Sequence, residues 1–260
     1  MLKMRLLGEL EVFREDRRVA LPPSRKTRAL LAYLAAMGGR HRRERLCAMF
    51  WDVPDDPRGA LRWSLSRLRS IIDDAGTARV LATRESVGLD VTGLDIDLLV
   101  LREAASQGLH RLPVERLEAL AALFRGEFLE GLELPQQHEF QSWCVAEREN
   151  LRRLQMGLLA ELIERLNADP AAALRPARQL VQIDPFNEAA RADLLRLLLA
   201  AGRDQEALRQ FEAAERQFRD LGGDSVARLT RKWRELRLAA AAGPAAPAPA
   251  EPVAPVVEEA

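Results

Sequence analysis

The stretch Pro57–Asp74, PRGALRWSLSRLRSIIDD, decides how the rest of the chain is interpreted. Leu61, Leu65, Leu68 and Ile72 follow one another at spacings of four, three and four residues, so they form one apolar stripe along an α-helix. The positions off this stripe are Arg58, Arg62, Trp63, Ser66, Arg67 and Arg69. The pattern predicts a helix that packs on a core by one side and presents guanidinium groups on the other. Asp56, before Pro57 in the first turn, is a candidate N-cap for this helix.

A basic amphipathic helix has two interpretations. A guanidinium group can pair with phosphate, or bind O6 and N7 of guanine in the major groove, so the helix is a candidate for DNA binding. The same pattern is also typical of an ordinary surface helix with a solvated arginine face. The order of the neighbouring elements distinguishes the two.

Short strand patterns and helices surround this stretch in a recognisable order. Residues 4–13 and 18–21 read as strands of a small antiparallel sheet, and Ser24 is a plausible N-cap for a helix over 25–37 that Gly38-Gly39 ends. A second short helix is predicted over 43–50, with Phe50 and Trp51 expected to hold it on the core. Two strands over 79–83 and 87–91 form a hairpin after the arginine helix. Strands, three helices and a hairpin in this order predict a winged helix-turn-helix, whose third helix enters the major groove.

The chain after Leu94 reads as helical to about residue 240, with no convincing strand. Matching positions recur 34 residues apart, for example Ala173-Leu174-Arg175 and Ala207-Leu208-Arg209. A helix–turn–helix period of this length is typical of tetratricopeptide-like repeats. The aromatic residues expected in the core of the repeats are Phe186, Phe211, Phe218 and Trp233. The predicted fold class is therefore mostly α with a small β component: a winged helix-turn-helix domain over 1–92, then an all-α tetratricopeptide-like domain over 94–240. Residues 241–260 are rich in Pro and Ala and are expected to form a disordered tail or linker.

Composition and charge favour a nucleic-acid partner for the N-terminal part alone. Residues 1–92 hold 18 basic and 12 acidic side chains, whereas the whole chain holds 39 of each. No apolar run is long enough to span a membrane, and two distant cysteines fit a reducing compartment. We therefore expect a cytoplasmic protein without a membrane partner.

Several strings along the chain resemble a known family. The opening LLGELEVF, the run Arg43–Asp52 ending in Phe-Trp-Asp, and Leu65-Ser66-Arg67-Leu68-Arg69 are similar to the DNA-binding part of SARP (Streptomyces antibiotic regulatory protein) activators, which carry an OmpR/PhoB-type winged helix. LDID at 94–97 and IDPFNE at 183–188 resemble their bacterial transcriptional activator domain. The resemblance implies an activator that binds repeated sites in double-stranded promoter DNA, acts there as a homodimer and recruits RNA polymerase holoenzyme.

The resemblance assigns roles along the arginine helix. Arg67 and Arg69 are expected to hold phosphates, while Arg62, Trp63 and Ser66 lie nearer the base edges. Trp63 could press on a thymine methyl or be half-buried against the second helix. The family's usual Gly-Tyr in the wing is replaced by Val87-Gly88, so wing contacts fall to Thr83 and Arg84.

Further candidates for the DNA interface lie outside the arginine helix and the wing. Backbone contacts are expected from Arg25 and Lys26 at the first helix and from Arg42, Arg43 and Arg45 near the second; a solvated face is the alternative for each.

Neither catalytic residues nor a cofactor or metal site is predicted. His41, His110 and His138 fall in different elements without metal-ligand spacing, and the chain contains no phosphate-binding loop or nucleophile elbow. The expected class is a non-enzymatic transcriptional regulator. The alternative is a repeat-type adaptor for protein interactions whose winged helix no longer reads specific DNA.

Overall fold

The computed structural model describes residues 2–51, 56–74, 76–221 and 224–242. Packing divides the chain into two compact units, 1–165 and 166–260. The predicted division into domains at residues 92–94 therefore falls inside the first compact unit. Of the predicted tail, Ala241 is the last residue of the final helix, and residues 243–260 lie outside the described range.

The first unit combines short strands with six α-helices in the described residues. The strands are β1 (Leu2–Arg5), β2 (Glu11–Arg14), β3 (Arg17–Arg18), β4 (Arg40–Arg42), β5 (Val80–Ala82), β6 (Ser86–Leu89) and β7 (Asp95–Ile96). The helices are α1 (Arg25–Met37), α2 (Arg43–Phe50), α3 (Pro57–Ile72), α4 (Asp97–Gln107), α5 (Val114–Ala121) and α6 (His138–Arg165).

The N-terminal sheet has the strand order β3-β2-β1-β7. Met4 in β1 pairs with Val12 in antiparallel β2 and with Ile96 in parallel β7, and all three side chains are buried. The antiparallel sheet was predicted, but the expectation of no strand after Leu94 is wrong. At two residues, β7 is too short to show an alternating pattern, and its pairing with β1 depends on tertiary contact.

The helix boundaries follow the predicted caps. The Ser24 hydroxyl accepts a hydrogen bond from the Thr27 amide at 3.3 Å, and the Asp56 carboxylate accepts one from the Gly59 amide at 2.9 Å. Gly38 ends α1 at φ 60°, a conformation that glycine adopts without a Cβ penalty. Local sequence therefore sets the ends of α1 and the start of α3.

A second sheet, with the order β4-β6-β5, forms the wing. The hairpin of β5 and β6 was predicted, whereas the third strand, β4, was not. Gly88 in β6 lies so close to β4 that a Cβ atom there would come within 2.4 Å of the Gly39 carbonyl oxygen. This close approach explains a glycine at a central strand position.

Buried polar contacts join the N-terminal sheet to the elements that follow the wing. Asp97, at the start of α4, is fully buried, and its carboxylate accepts hydrogen bonds from the amides of Leu6, Leu7 and Leu98 at 2.8–3.1 Å. The Arg125 guanidinium contributes another at 3.2 Å. Burial raises the pKa of the Asp97 carboxyl, although these donors oppose the shift.

An aromatic cluster continues this junction. Tyr33 of α1 and Phe50 of α2 contact Trp143 and Phe140 of α6, with ring centroids 5.0–5.4 Å apart. Phe50 and Trp51 are buried, as predicted for residues that hold α2 on the core. Helices α1 and α2 are thus packed directly on α6.

The second unit is a set of antiparallel helices: α7 (Pro170–Ile183), α8 (Glu188–Ala200), α9 (Asp204–Leu221) and α10 (Ser225–Ala241). Helices α7 and α9 begin 34 residues apart, in agreement with the repeat seen in the sequence. Phe218 and Trp233 are buried and Phe211 stacks on Trp233, as expected for repeat core. Phe186 was also expected in the core, but it is 51% exposed, because it lies in the turn before α8 and only contacts Phe218 from the rim.

Candidate nucleic-acid interface

Helix α3 has one buried and one exposed face. Leu61, Ser64, Leu65, Leu68 and Ile72 are buried, and no charged residue is among them. The exposed positions are Arg58, Arg62, Trp63, Ser66, Arg67, Arg69 and Ser70. At 100° per residue, Ser66 lies at the centre of the exposed face, with Arg62 and Trp63 one turn before it. All six residues predicted on α3 are therefore on its solvent side.

The buried face of α3 is fixed by one polar contact as well as by leucines. The Thr27 hydroxyl of α1 and the Ser64 hydroxyl lie 2.9 Å apart, and both residues are essentially inaccessible to solvent. A buried hydroxyl pair fixes the rotation of α3 against α1, because any other rotation would leave both groups without a partner. The exposed face is consequently held in one orientation.

A groove runs between the first half of α3, the start of α2 and the tip of the wing. It is lined by Arg42, Arg43, Glu44, Arg58, Leu61, Arg62, Ala82, Thr83, Arg84, Glu85 and Ser86. Five of these eleven side chains are arginines and two are glutamates. We call this surface the arginine groove; its excess of positive charge suits a polyanion.

The wing tip is attached to α2 by Arg43. Its side-chain Nε donates to the Thr83 carbonyl at 2.8 Å, and its backbone amide donates to the Glu85 carbonyl at 2.9 Å. The Thr83 hydroxyl accepts from the amides of Glu85 and Ser86, so it is engaged within the turn. Thr83, Arg84 and Glu85 are all exposed in this turn, and Arg84 is its basic residue.

Acidic neighbours hold the groove arginines only loosely. Arg58 lies 3.7 Å from Glu44, and Arg62 lies 3.8 Å from Asp56, with all four side chains at least 71% exposed. Exposed pairs of this kind contribute about 0–1 kcal/mol, so an incoming phosphate can displace them. Glu44 and Glu85 were not singled out from the sequence, because their place in the groove depends on how α2 meets the wing.

Trp63 is 47% exposed, and the Arg67 guanidinium carbon lies 5.2 Å from the centroid of its ring. The indole is therefore a partly exposed apolar group on the outward side of α3. Arg67 reaches it from the next turn of the same helix, in a cation–π arrangement.

Other predicted arginines lie outside the arginine groove. Arg25 is exposed at the first residue of α1, and Arg69 is exposed further along α3. Arg45 lies 3.7 Å from Glu139 of α6, which gives it a partner within the protein. Ser70 was not among the predicted residues, although it is also exposed, one turn beyond Ser66. Its spacing from Ser66 places it on the same face of α3, and this was the signal in the sequence that could have identified it.

Groups capable of catalysis or metal binding do not gather in this region. Among the described residues no cluster of three or more His, Cys, Asp or Glu side chains is arranged to hold a metal ion. Burial raises the pKa of the Cys47 thiol on the buried side of α2, which makes this cysteine a poor nucleophile. No helix in the described part of the chain has the length and apolar character needed to cross a membrane.

Comparison with known families identifies the helical part. The profile of the bacterial transcriptional activator domain matches residues 94–237, more than half of the chain. The chain belongs to this family. It is a transcriptional regulator of the SARP type.

A solved structure is similar to nearly the whole chain. A structure of Mycobacterium tuberculosis EmbR, determined in complex with a low-affinity phosphopeptide, superposes with a TM-score of 0.64 over 93% of this chain and 69% of that chain, at 19% sequence identity. At this identity the similarity shows the fold, an N-terminal winged domain followed by helices of the activator domain. No curated protein sequence matches the chain.

Proposed function

We propose that this SARP-type regulator binds specific double-stranded DNA by inserting α3 into the major groove, and that it activates transcription from the promoters it binds. The observation that carries the proposal is the exposed face of α3, which projects arginine, serine and tryptophan side chains and borders the arginine groove. An α-helix fits the major groove, and arginine is the commonest reader of guanine there.

The side chains divide by their position. Arg62, Trp63 and Ser66 lie at the middle of the exposed face, where a docked helix approaches base edges. Arg67 and Arg69 lie toward the sides and the second half of α3, where phosphates pass. Each phosphate contact adds affinity on any sequence, whereas a bidentate base contact contributes about 1–3 kcal/mol of discrimination.

The arginine groove supplies the second set of phosphate contacts. Arg42 borders it from the end of β4, Arg58 from α3 and Arg84 from the tip of the wing, so a DNA backbone lying beside α3 would meet all three. The wing acts through Arg84, because the Thr83 hydroxyl is engaged in the turn. Arg43 positions the wing through its bond to the Thr83 carbonyl.

Activation itself is proposed to depend on protein contacts. The helical part would recruit RNA polymerase holoenzyme, and a homodimer would form when two copies occupy repeated promoter sites. The protein would act by binding alone, without catalysis, in the cytoplasm where promoter DNA and polymerase are found.

Selection from random duplex DNA at near-physiological salt tests the proposal. We expect enrichment of a short sequence repeated at about one helical turn, since two copies bound in tandem would occupy the same face of the DNA. Arg67→Ala should weaken binding to every sequence. It should also lower the slope of the log binding constant against log salt concentration by about the amount that one phosphate contact contributes. Arg231→Ala, an exposed arginine of α10, serves as the matched control and should leave both quantities unchanged.

The same experiment decides between this function and the adaptor alternative. Weak, salt-sensitive binding without sequence preference would refute sequence-specific recognition. A search for a protein partner of the helical units would then be the next step. An unchanged salt dependence in Arg67→Ala would instead refute the assignment of Arg67 to phosphate.

A further inference from the structure

We propose that Trp63 makes the DNA surface of α3 selective for thymine at one base position, by packing its indole on the C5-methyl group in the major groove. This inference rests on the proposed function and specifies what that site reads. It starts from a feature that needs a physical explanation: a tryptophan that is 47% exposed on a helix face made otherwise of arginine and serine.

The position of Trp63 makes DNA its most suitable partner. It lies one turn before Ser66 and beside Arg62, at the part of α3 that would approach base edges. The surrounding arginines give this surface positive charge, which complements a nucleic acid and opposes an apolar protein partner. An exposed aromatic group framed by cations is therefore suited to the floor of a DNA groove.

The groups that each base presents in the major groove make thymine the best partner for an indole. In the major groove guanine, adenine and cytosine present hydrogen-bonding groups, while thymine adds a methyl group. The apolar surface of an indole placed on a polar edge would remove water from it without replacing the hydrogen bond, at a cost. On thymine the same surface buries a methyl group, which is favourable.

Arg67 prepares the indole for this contact. Its guanidinium lies over the ring at 5.2 Å, so it favours one orientation of the side chain before DNA arrives. A side chain that is already ordered loses less conformational entropy on binding. Arg67 is exposed in this arrangement and can still contact a phosphate.

Replacing thymine with deoxyuridine tests the contact directly, because the change removes only the C5-methyl group. Thymines of the selected site would be replaced one at a time. At one position per half-site the wild-type protein should bind about 4-fold more weakly, the equivalent of burying one methyl-sized group. Trp63→Ala should bind the thymine and deoxyuridine duplexes equally at that position.

A second substitution adds the methyl group back on another base. At the same position cytosine should bind more weakly than thymine, and 5-methylcytosine should recover about 4-fold of the loss in the wild type and none of it in the variant. Trp63→Gln, which places a polar amide suited to an exposed helix position and removes the indole, repeats the test if the alanine variant is unstable. Leu238→Ala removes an exposed apolar side chain in the second unit and should behave as wild type.

The outcomes separate the inference from the function on which it depends. Sequence-specific binding with no deoxyuridine effect at any position would overturn the thymine assignment and leave the proposed function intact. A deoxyuridine effect that persists in Trp63→Ala would assign the methyl contact to another residue and also overturn it. Absence of any sequence preference would refute both proposals.

Discussion

The buried carboxylate of Asp97 offers a quantitative test of how the winged part is joined to α4. Asp97→Ala removes the acceptor for the Leu6 and Leu7 amides, both of which are buried in the segment that follows β1. A buried amide without a partner costs about 1–3 kcal/mol, so these two predict a loss of about 2–6 kcal/mol. Relief from burying the carboxylate, and water entering the space, offset part of this loss. We expect a net decrease of about 3 kcal/mol in the free energy of unfolding of the first unit.

Tryptophan fluorescence during urea unfolding measures this decrease. Three of the four tryptophans lie in the first unit, so a Trp233→Phe background makes the signal report that unit alone. With a urea slope of about 2 kcal/mol per molar, the midpoint should fall by roughly 1.5 M.

The matched control is Asp95→Ala, two residues away, which breaks a partly exposed pair with Arg5 and should cost about 1 kcal/mol or less. A loss below about 1 kcal/mol for Asp97→Ala, or one equal to that of Asp95→Ala, would refute the reasoning.

Three further predictions concern other parts of the chain. A fragment of residues 1–92 should be less stable than a fragment of 1–165, because it lacks β7, the Asp97 acceptor and α6; equal melting temperatures would contradict this. The Arg228 guanidinium lowers the pKa of Glu188 to about 2, so this pair contributes stability above about pH 4.5 that is lost as the pH falls toward 2. Glu188→Gln should therefore reduce the stability of the second unit by up to about 1 kcal/mol at pH 7 but not at pH 2, and a loss independent of pH would contradict the assignment. Gly88→Ala should destabilise the wing by about 1–3 kcal/mol, because an added Cβ atom would clash with the Gly39 carbonyl oxygen. Gly157→Ala, on the exposed side of α6 where an added Cβ atom meets nothing within 4 Å, is the matched control, and a stable Gly88→Ala protein would refute the close approach.

Much of the fold was predictable because local sequence carries its signals. The apolar stripe of α3, the caps at Ser24 and Asp56 and the turn at Gly38 act within a few residues of themselves. The 34-residue spacing of α7 and α9 was also predictable, since a repeat is a property of the sequence. The solvent-facing residues of α3 followed from the same periodicity.

The predictions that failed depended on distant partners. Strands β4 and β7 are two or three residues long, and they exist because β6 and β1 pair with them. Phe186 is a large apolar residue of the kind that is usually buried, but its position in a turn leaves it half-exposed.

Neighbouring residues encode the basic amphipathic helix, its winged surroundings and the helical repeats that follow, because helical periodicity, caps and repeats are local properties of a chain. Three features instead depend on the folded unit: the set of arginines that share a groove, the hydroxyl contact that fixes α3, and the hydrogen bonds by which Asp97 joins the segment after β1 to α4. These features join residues from 37 to 91 positions apart. Contacts at such separations arise from packing of the whole unit, and no local pattern specifies them.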